Sequence, residues 1–136
     1  MQIIDTTAAL KARGTMLAPP ASAAALQAFI RTEDGDIDKN ILEIYSQFDG
    51  FNGQDHGSQI SIWPINRVIS ESGLKEVFQD SEYAAVGDLL VDSDFIMWCL
   101  TNSELPVYLL HERRELAGSV GDFFRKLIAG QFDFAK

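Results

Sequence analysis

Leu89-Leu-Val-Asp-Ser-Asp-Phe-Ile-Met-Trp-Cys-Leu-Thr-Asn-Ser-Glu-Leu-Pro-Val-Tyr-Leu-Leu110 is the stretch that decides the fold. Three apolar runs, at 89–91, 95–100 and 107–110, are separated by the turn-forming Asp92-Ser-Asp94 and Thr101-Asn-Ser-Glu104. Those intervals are too short for helical crossovers, so the runs predict an antiparallel meander and not a doubly wound parallel sheet. The unbroken run at 95–100 is the expected central strand, because a strand covered on both faces loses its alternation. Upstream, Tyr83-Ala-Ala-Val-Gly87 reads as a further strand. Ile60 and Ile62 alternate with polar residues before Trp63-Pro64-Ile65, which predicts a strand stopped by proline.

Outward from this sheet the period changes to that of a helix. Pro19-Pro20-Ala21-Ser22 followed by Ala23, Leu26, Phe29 and Ile30 predicts an amphipathic helix with Ser22 at its N-cap. A second stripe, Ile41, Ile44, Tyr45 and Phe48, leads into Asp49-Gly-Phe-Asn-Gly53, whose Gly and Asn residues suit a turn needing positive φ. Residues 66–78 fit a short helix broken near Gly73. Ser119-Val-Gly-Asp122 resembles a capping box, ahead of the stripe Val120, Phe123, Phe124, Leu127 and Ile128 that stops at Gly130. The fold class is therefore α+β: a mainly antiparallel meander flanked by two N-terminal helices and a C-terminal helix. One domain is expected over 19–130, after an N-terminal segment 1–18 that is partly helical and before a tail 131–136.

Composition narrows the function. Among 136 residues, 11 Lys and Arg face 20 Asp and Glu, a net charge of −9 that repels phosphate backbones and anionic membrane surfaces. No Lys or Arg occurs between Lys75 and Arg113, whereas Glu76, Asp80, Glu82, Asp88, Asp92, Asp94 and Glu104 do. Those acids either steer a basic partner or only keep the chain soluble. A single cysteine, Cys99, within an apolar run excludes an internal disulfide and fits a reducing compartment. No apolar run approaches the roughly 20 residues of a membrane span. Pro19-Pro20 interrupts the Ala-rich stretch that a signal peptide would need. A cytoplasmic location is expected.

Catalytic patterns fail one by one. Asp34-Gly-Asp36-Ile-Asp38-Lys-Asn40 alternates oxygen ligands like a calcium loop, but Lys39 stands where the sharp turn needs glycine and Tyr45 where a bidentate Glu is needed. Asp36 or Asp38 as a helix N-cap accounts for the motif better. His56 and His111 are the only histidines; one lies in a polar loop and the other beside Glu112-Arg-Arg114, neither placed against a nucleophile. Gly118-Ser-Val-Gly121 lacks the nucleophile elbow, because its first glycine falls one position late. No Walker loop, dinucleotide fingerprint or paired cysteine occurs, so neither cofactor nor metal is expected, and no enzyme activity. Trp98 reads as core; Trp63, at a strand end, reads as core or as an interface anchor.

Taken in order, these segments resemble the SUKH superfamily, the Smi/Knr-like proteins. Pro19-Pro-Ala-Ser22 is similar to the lead-in to the family's first helix, and Tyr45-Ser-Gln-Phe-Asp-Gly-Phe-Asn-Gly53 to its second helix with an aromatic-Asn-Gly turn. Ile60-Ser-Ile-Trp-Pro-Ile65 resembles its first strand and proline step. Val86-Gly-Asp-Leu-Leu-Val-Asp-Ser-Asp94 resembles its Gly-Asp segment and Leu105-Pro-Val-Tyr108 its Pro-Val-Tyr strand. The final helix with Phe123 is similar to its closing Ser-x-x-x-Phe helix. Where the family has a Gly-x-x-Leu-Pro step between its first helices, this chain has Glu33-Asp-Gly-Asp-Ile37. The resemblance implies structural roles for Phe48, Asn52, Gly53, Trp63, Pro64, Gly87, Asp88, Trp98 and Phe123. It also implies a non-enzymatic role: bacterial members are mostly immunity proteins that neutralise a cognate polymorphic toxin, often a nuclease, and fungal members are regulatory scaffolds. The expected partner is another protein, a basic toxin domain, with the scaffold role as the alternative. Partner contacts are expected at Asp34, Asp36, Asp55, Glu76, Asp80, Glu82, Asp88, Asp92 and Asp94.

Overall fold

The computed structural model describes residues 3–33, 36–52, 59–89 and 93–132. Helices α1 (Ile3–Ala12), α2 (Ala23–Glu33) and α3 (Lys39–Gln47) precede strand β1 (Ile60–Ile62) and the short helices α4 (Ile65–Ser70) and α5 (Leu74–Phe78). Strands β2 (Tyr83–Leu89), β3 (Asp94–Cys99), β4 (Val107–Leu109) and β5 (Glu115–Ala117) follow, and α6 (Val120–Ile128) closes the chain. The strands form one antiparallel sheet in the order β1-β2-β3-β4-β5, with β3 at its centre as its apolar run requires.

Helices begin where side chains replace missing intrahelical acceptors. Ser22 Oγ accepts from Ala25 N at 3.1 Å, Asp38 Oδ1 from Asn40 N at 2.8 Å, and Ser119 Oγ from Asp122 N at 3.0 Å. Asp122 reaches back to Gly118 N, one residue before the cap, so the box is shifted and not lost. Asp38 also accepts from Ser103 N, tying α3 to the β3–β4 turn. The carboxylate suspected of calcium binding is thus a helix cap.

Pairing fixes the faces of the sheet. Trp98 is opposite Ala84, and its ring packs edge-on against Phe123 and Phe124 of α6. Tyr83 is opposite Cys99 and Tyr108 opposite Met97, so both tyrosines lie on the other face, where Phe78 of α5 meets them. Helices therefore cover both faces, which is why β3 reads as a continuous apolar run. Trp63, Trp98, Phe48 and Phe123 all lie in the core.

Two glycines are required by close approach or backbone sign. Gly50 has φ +88°, and a Cβ there would lie 2.3 Å from the Ile62 carbonyl oxygen. At Gly87 a Cβ would lie 2.1 Å from the Ser61 carbonyl oxygen, so any side chain would push β1 off β2.

Several expectations change. The run at 83–87 does not end before Leu89: β2 continues to Leu89 through a register shift between Ala85 and Gly87 that leaves Val86 as a bulge, and residues 90–92 lie outside the described residues. Strand β5 was invisible to patterning because three residues with one exposed position make no period. The N-terminal segment belongs to the domain: Leu10 is buried in the common core, and the Arg13 guanidinium donates to the carbonyls of Leu127 and Ile128 at the end of α6. Phe132, assigned to a tail, is also buried there. Asp49 Oδ1 accepts from Ile65 N, so the turn after α3 anchors the start of α4 just beyond Pro64.

Candidate protein-docking face

The five-residue α5 buries none of its residues fully. Phe78 lies 5.2 Å from the Tyr83 ring and 5.7 Å from the Tyr108 ring, and the tyrosines are 5.8 Å apart, a three-ring cluster. Tyr83 Oη donates to the Pro106 carbonyl at 2.9 Å, which holds the β3–β4 turn against the cluster. Arg113, at φ +53° in the β4–β5 turn, donates to the carbonyls of Val77 and Phe78 at 3.0 and 3.1 Å. These are orphan acceptors at the C-terminus of α5, where a cation is favoured. Its guanidinium also covers the Phe78 ring at 5.5 Å, so this cation is engaged within the fold.

Around the rings the rim is acidic. Glu76 and Glu82 are exposed, Asp80 is half-buried with Oδ1 accepting from Glu82 N at 3.0 Å, and Glu115 stands on β5 opposite Tyr108. Burial, followed by the fields of Cys99, Tyr108, Asp80 and Glu115, pushes the Tyr83 hydroxyl up to about 12. Asp80 lines the hollow formed with Phe78, Tyr83, Tyr108 and Arg113. Val77 is 51% exposed on α5 and Leu105, next to Pro106, is 38% exposed. Only one other large apolar side chain among the described residues is as open, Met16. The nearest lysine, Lys75, is paired with Glu33.

The acids expected to bind a partner are therefore split. Asp80 lies beside the Phe78, Tyr83 and Tyr108 rings, and Glu76 and Glu82 are exposed near it in the chain. Asp88 lies near the far end of β2, five residues or about 17 Å from Tyr83 at roughly 3.3 Å per residue, where Oδ2 accepts from Trp63 Nε1 at 2.9 Å. Asp94 is 2% exposed and cannot reach a partner; its carboxylate accepts from His111 N at 2.7 Å and Glu112 N at 3.0 Å, pinning the β4–β5 turn. Asp36 is exposed ahead of α3, away from α5 in sequence. Asp34, Asp55 and Asp92, with Gly53 and His56, lie outside the described residues; Asn52 lies within them.

Glu115 and the aromatic cluster escaped sequence reasoning. Tyr83 and Tyr108 are brought together only by strand pairing, and Glu115 lies on the strand that patterning missed. His111 is exposed against the Phe95 ring, Cys99 is buried, and among the described residues no group of three His, Cys, Asp or Glu side chains could hold a metal ion. Among those residues no helix is long and apolar enough to cross a membrane. No protein-family model matches the chain, and no curated protein matches it in sequence.

Proposed function

We propose that this protein acts by binding, without catalysis, as a cytoplasmic immunity protein that neutralises a basic toxin domain, possessing a SUKH-like fold. The observation that carries the reading is the coincidence of apolar exposure and negative charge. Val77, next to Phe78, and Leu105, next to the Pro106 that accepts from Tyr83, are exposed near the Phe78, Tyr83 and Tyr108 rings; Asp80 lines the hollow beside those rings, Glu115 pairs opposite Tyr108, and Glu76 and Glu82 are exposed close by in the chain. Interfaces combine an aromatic centre that excludes water with a charged rim that governs encounter. A nuclease is basic where it grips nucleic acid, so a partner of this sign is steered onto it. The resemblance drawn from the order of sequence segments supports the same role.

The test is complex formation with the C-terminal domain of a toxin encoded beside this gene. Replacing Asp80, Glu82 and Glu115 together by lysine should lower the association rate at low salt by about tenfold or more and flatten its salt dependence. Protection from the toxin without any isolable complex would overturn the proposal. Unchanged association kinetics would show that the rim only solubilises the fold.

A further inference from the structure

Asp80 and Glu115 are accessible acids without a counter-ion. Glu115 is exposed and Asp80 half-buried, and among the described residues no Lys, Arg or His forms an ion pair with either. Asp80 lines a hollow of about 460 Å³ together with the Phe78, Tyr83 and Tyr108 rings and Arg113. Its Oδ1 accepts from Glu82 N at 3.0 Å, and its Oδ2 has no partner among the described residues and remains in reach of solvent. Glu115 joins the site through strand register. It pairs with Tyr108 across β4 and β5, and opposite residues of an antiparallel pair send their side chains to one face, with Cβ atoms about 5 Å apart.

The cation that lines the hollow is already engaged. Arg113 donates to the Val77 and Phe78 carbonyls and stands over the Phe78 ring, so it builds one wall and pairs neither acid. Tyr108 is half-buried, and among the described residues no cation covers its ring. The two carboxylates outnumber Arg113, and the fields of both act to hold the proton on the Tyr83 hydroxyl. An open aromatic face between accessible acids is the chemistry that holds a planar cation.

We infer that this hollow receives one arginine side chain of a basic protein partner, its guanidinium laid on the Tyr108 ring and its N–H groups donating to Asp80 Oδ2 and the Glu115 carboxylate. This anchor rests on the proposed binding role of the face and narrows it to a single side chain. Arginine suits the hollow better than lysine, because a flat, delocalised cation stacks on a ring while donating in several directions within its own plane. Interface energy concentrates at such buried arginine and aromatic contacts.

The experiment titrates the ¹⁵N-labelled protein at low salt with acetyl-Gly-Arg-Gly-amide and with the same peptide carrying neutral citrulline for arginine. It follows the backbone amides of Asp80 and Tyr108 and the δ-methylene protons of the peptide's arginine, with the Trp63 indole N–H as the internal control. The arginine peptide should move both amides saturably and leave Trp63 unmoved, and its δ-methylene resonance should shift upfield, as the ring current over an aromatic face requires. The citrulline peptide should bind about tenfold more weakly, for want of the charge. Asp80→Asn, which keeps an acceptor for Glu82 N, and Glu115→Gln should each weaken the arginine peptide about threefold. Glu43→Gln, an exposed acid of α3 that does not line the hollow, should leave it unchanged. Equal binding of the two peptides, an equal loss from Glu43→Gln, or no upfield shift would each overturn the inference. A toxin complex that forms although the arginine peptide does not bind would remove the anchor and leave the immunity role; arginine binding with no toxin complex would do the reverse.

Discussion

Removing the Asp94 carboxylate should destabilise the fold far more than removing any exposed acid. Its oxygens accept from His111 N and Glu112 N across the sheet, as well as from the adjacent Phe95 N. Hydrogen bonds to a charged group are each worth about 1.5–3 kcal/mol, so losing the two that cross to the turn gives roughly 3–6 kcal/mol for Asp94→Ala. That is a large part of the roughly 5–15 kcal/mol that holds a domain together. With a urea dependence of about 2 kcal/mol per molar, the unfolding midpoint should fall by about 2 M. Trp63 and Trp98, both buried, report the transition by fluorescence. Asp94→Asn keeps one acceptor but turns a donor towards the second amide, so it should fall between wild type and Ala. Glu82→Ala, at an exposed position, should move the midpoint by less than about 0.3 M, as surface changes do. A midpoint shift below about 0.5 M for Asp94→Ala would refute the reasoning, since it would mean that water satisfies the turn amides as well as the carboxylate does.

Two further outcomes follow from the sheet. Gly87→Ala should lower the melting temperature by about 10 °C, because the new Cβ meets the Ser61 carbonyl and must part β1 from β2 at a cost of about 3 kcal/mol; calorimetry reads it, and an unchanged melting temperature would contradict the close approach. Tyr83 holds its proton more tightly folded than unfolded, so its contribution is complete below about pH 10 and is lost as pH rises towards about 12. Over that window its part of the stability falls by about 1.4 kcal/mol per pH unit. Alkaline denaturation of Tyr83→Phe should be correspondingly less steep, and identical slopes for the two proteins would remove Tyr83 as the titrating group.

What the chain declares locally is its architecture. Caps at Ser22, Asp38 and Ser119 announce themselves because capping is chemistry between neighbours, and the apolar run of β3 announces its central place because burial on both faces removes alternation. The short polar intervals on either side of that run leave room only for antiparallel turns. The docking face is different. Asp94 and Glu82 are equally acidic as letters, yet one is buried under the β4–β5 turn and the other open to solvent, and only the meeting of β3 with that turn separates them. Phe78, Tyr83 and Tyr108 become one cluster because β2 and β4 share β3 as a neighbour, a contact between residues distant in the chain that no local period encodes. The unpartnered oxygen of Asp88 depends in the same way on where Trp63 and Arg67 come to rest. The pattern of residue types settles which segments are helix or strand, because that preference is local; tertiary pairing decides which acids and rings remain at the surface, because exposure is a property of the packed whole.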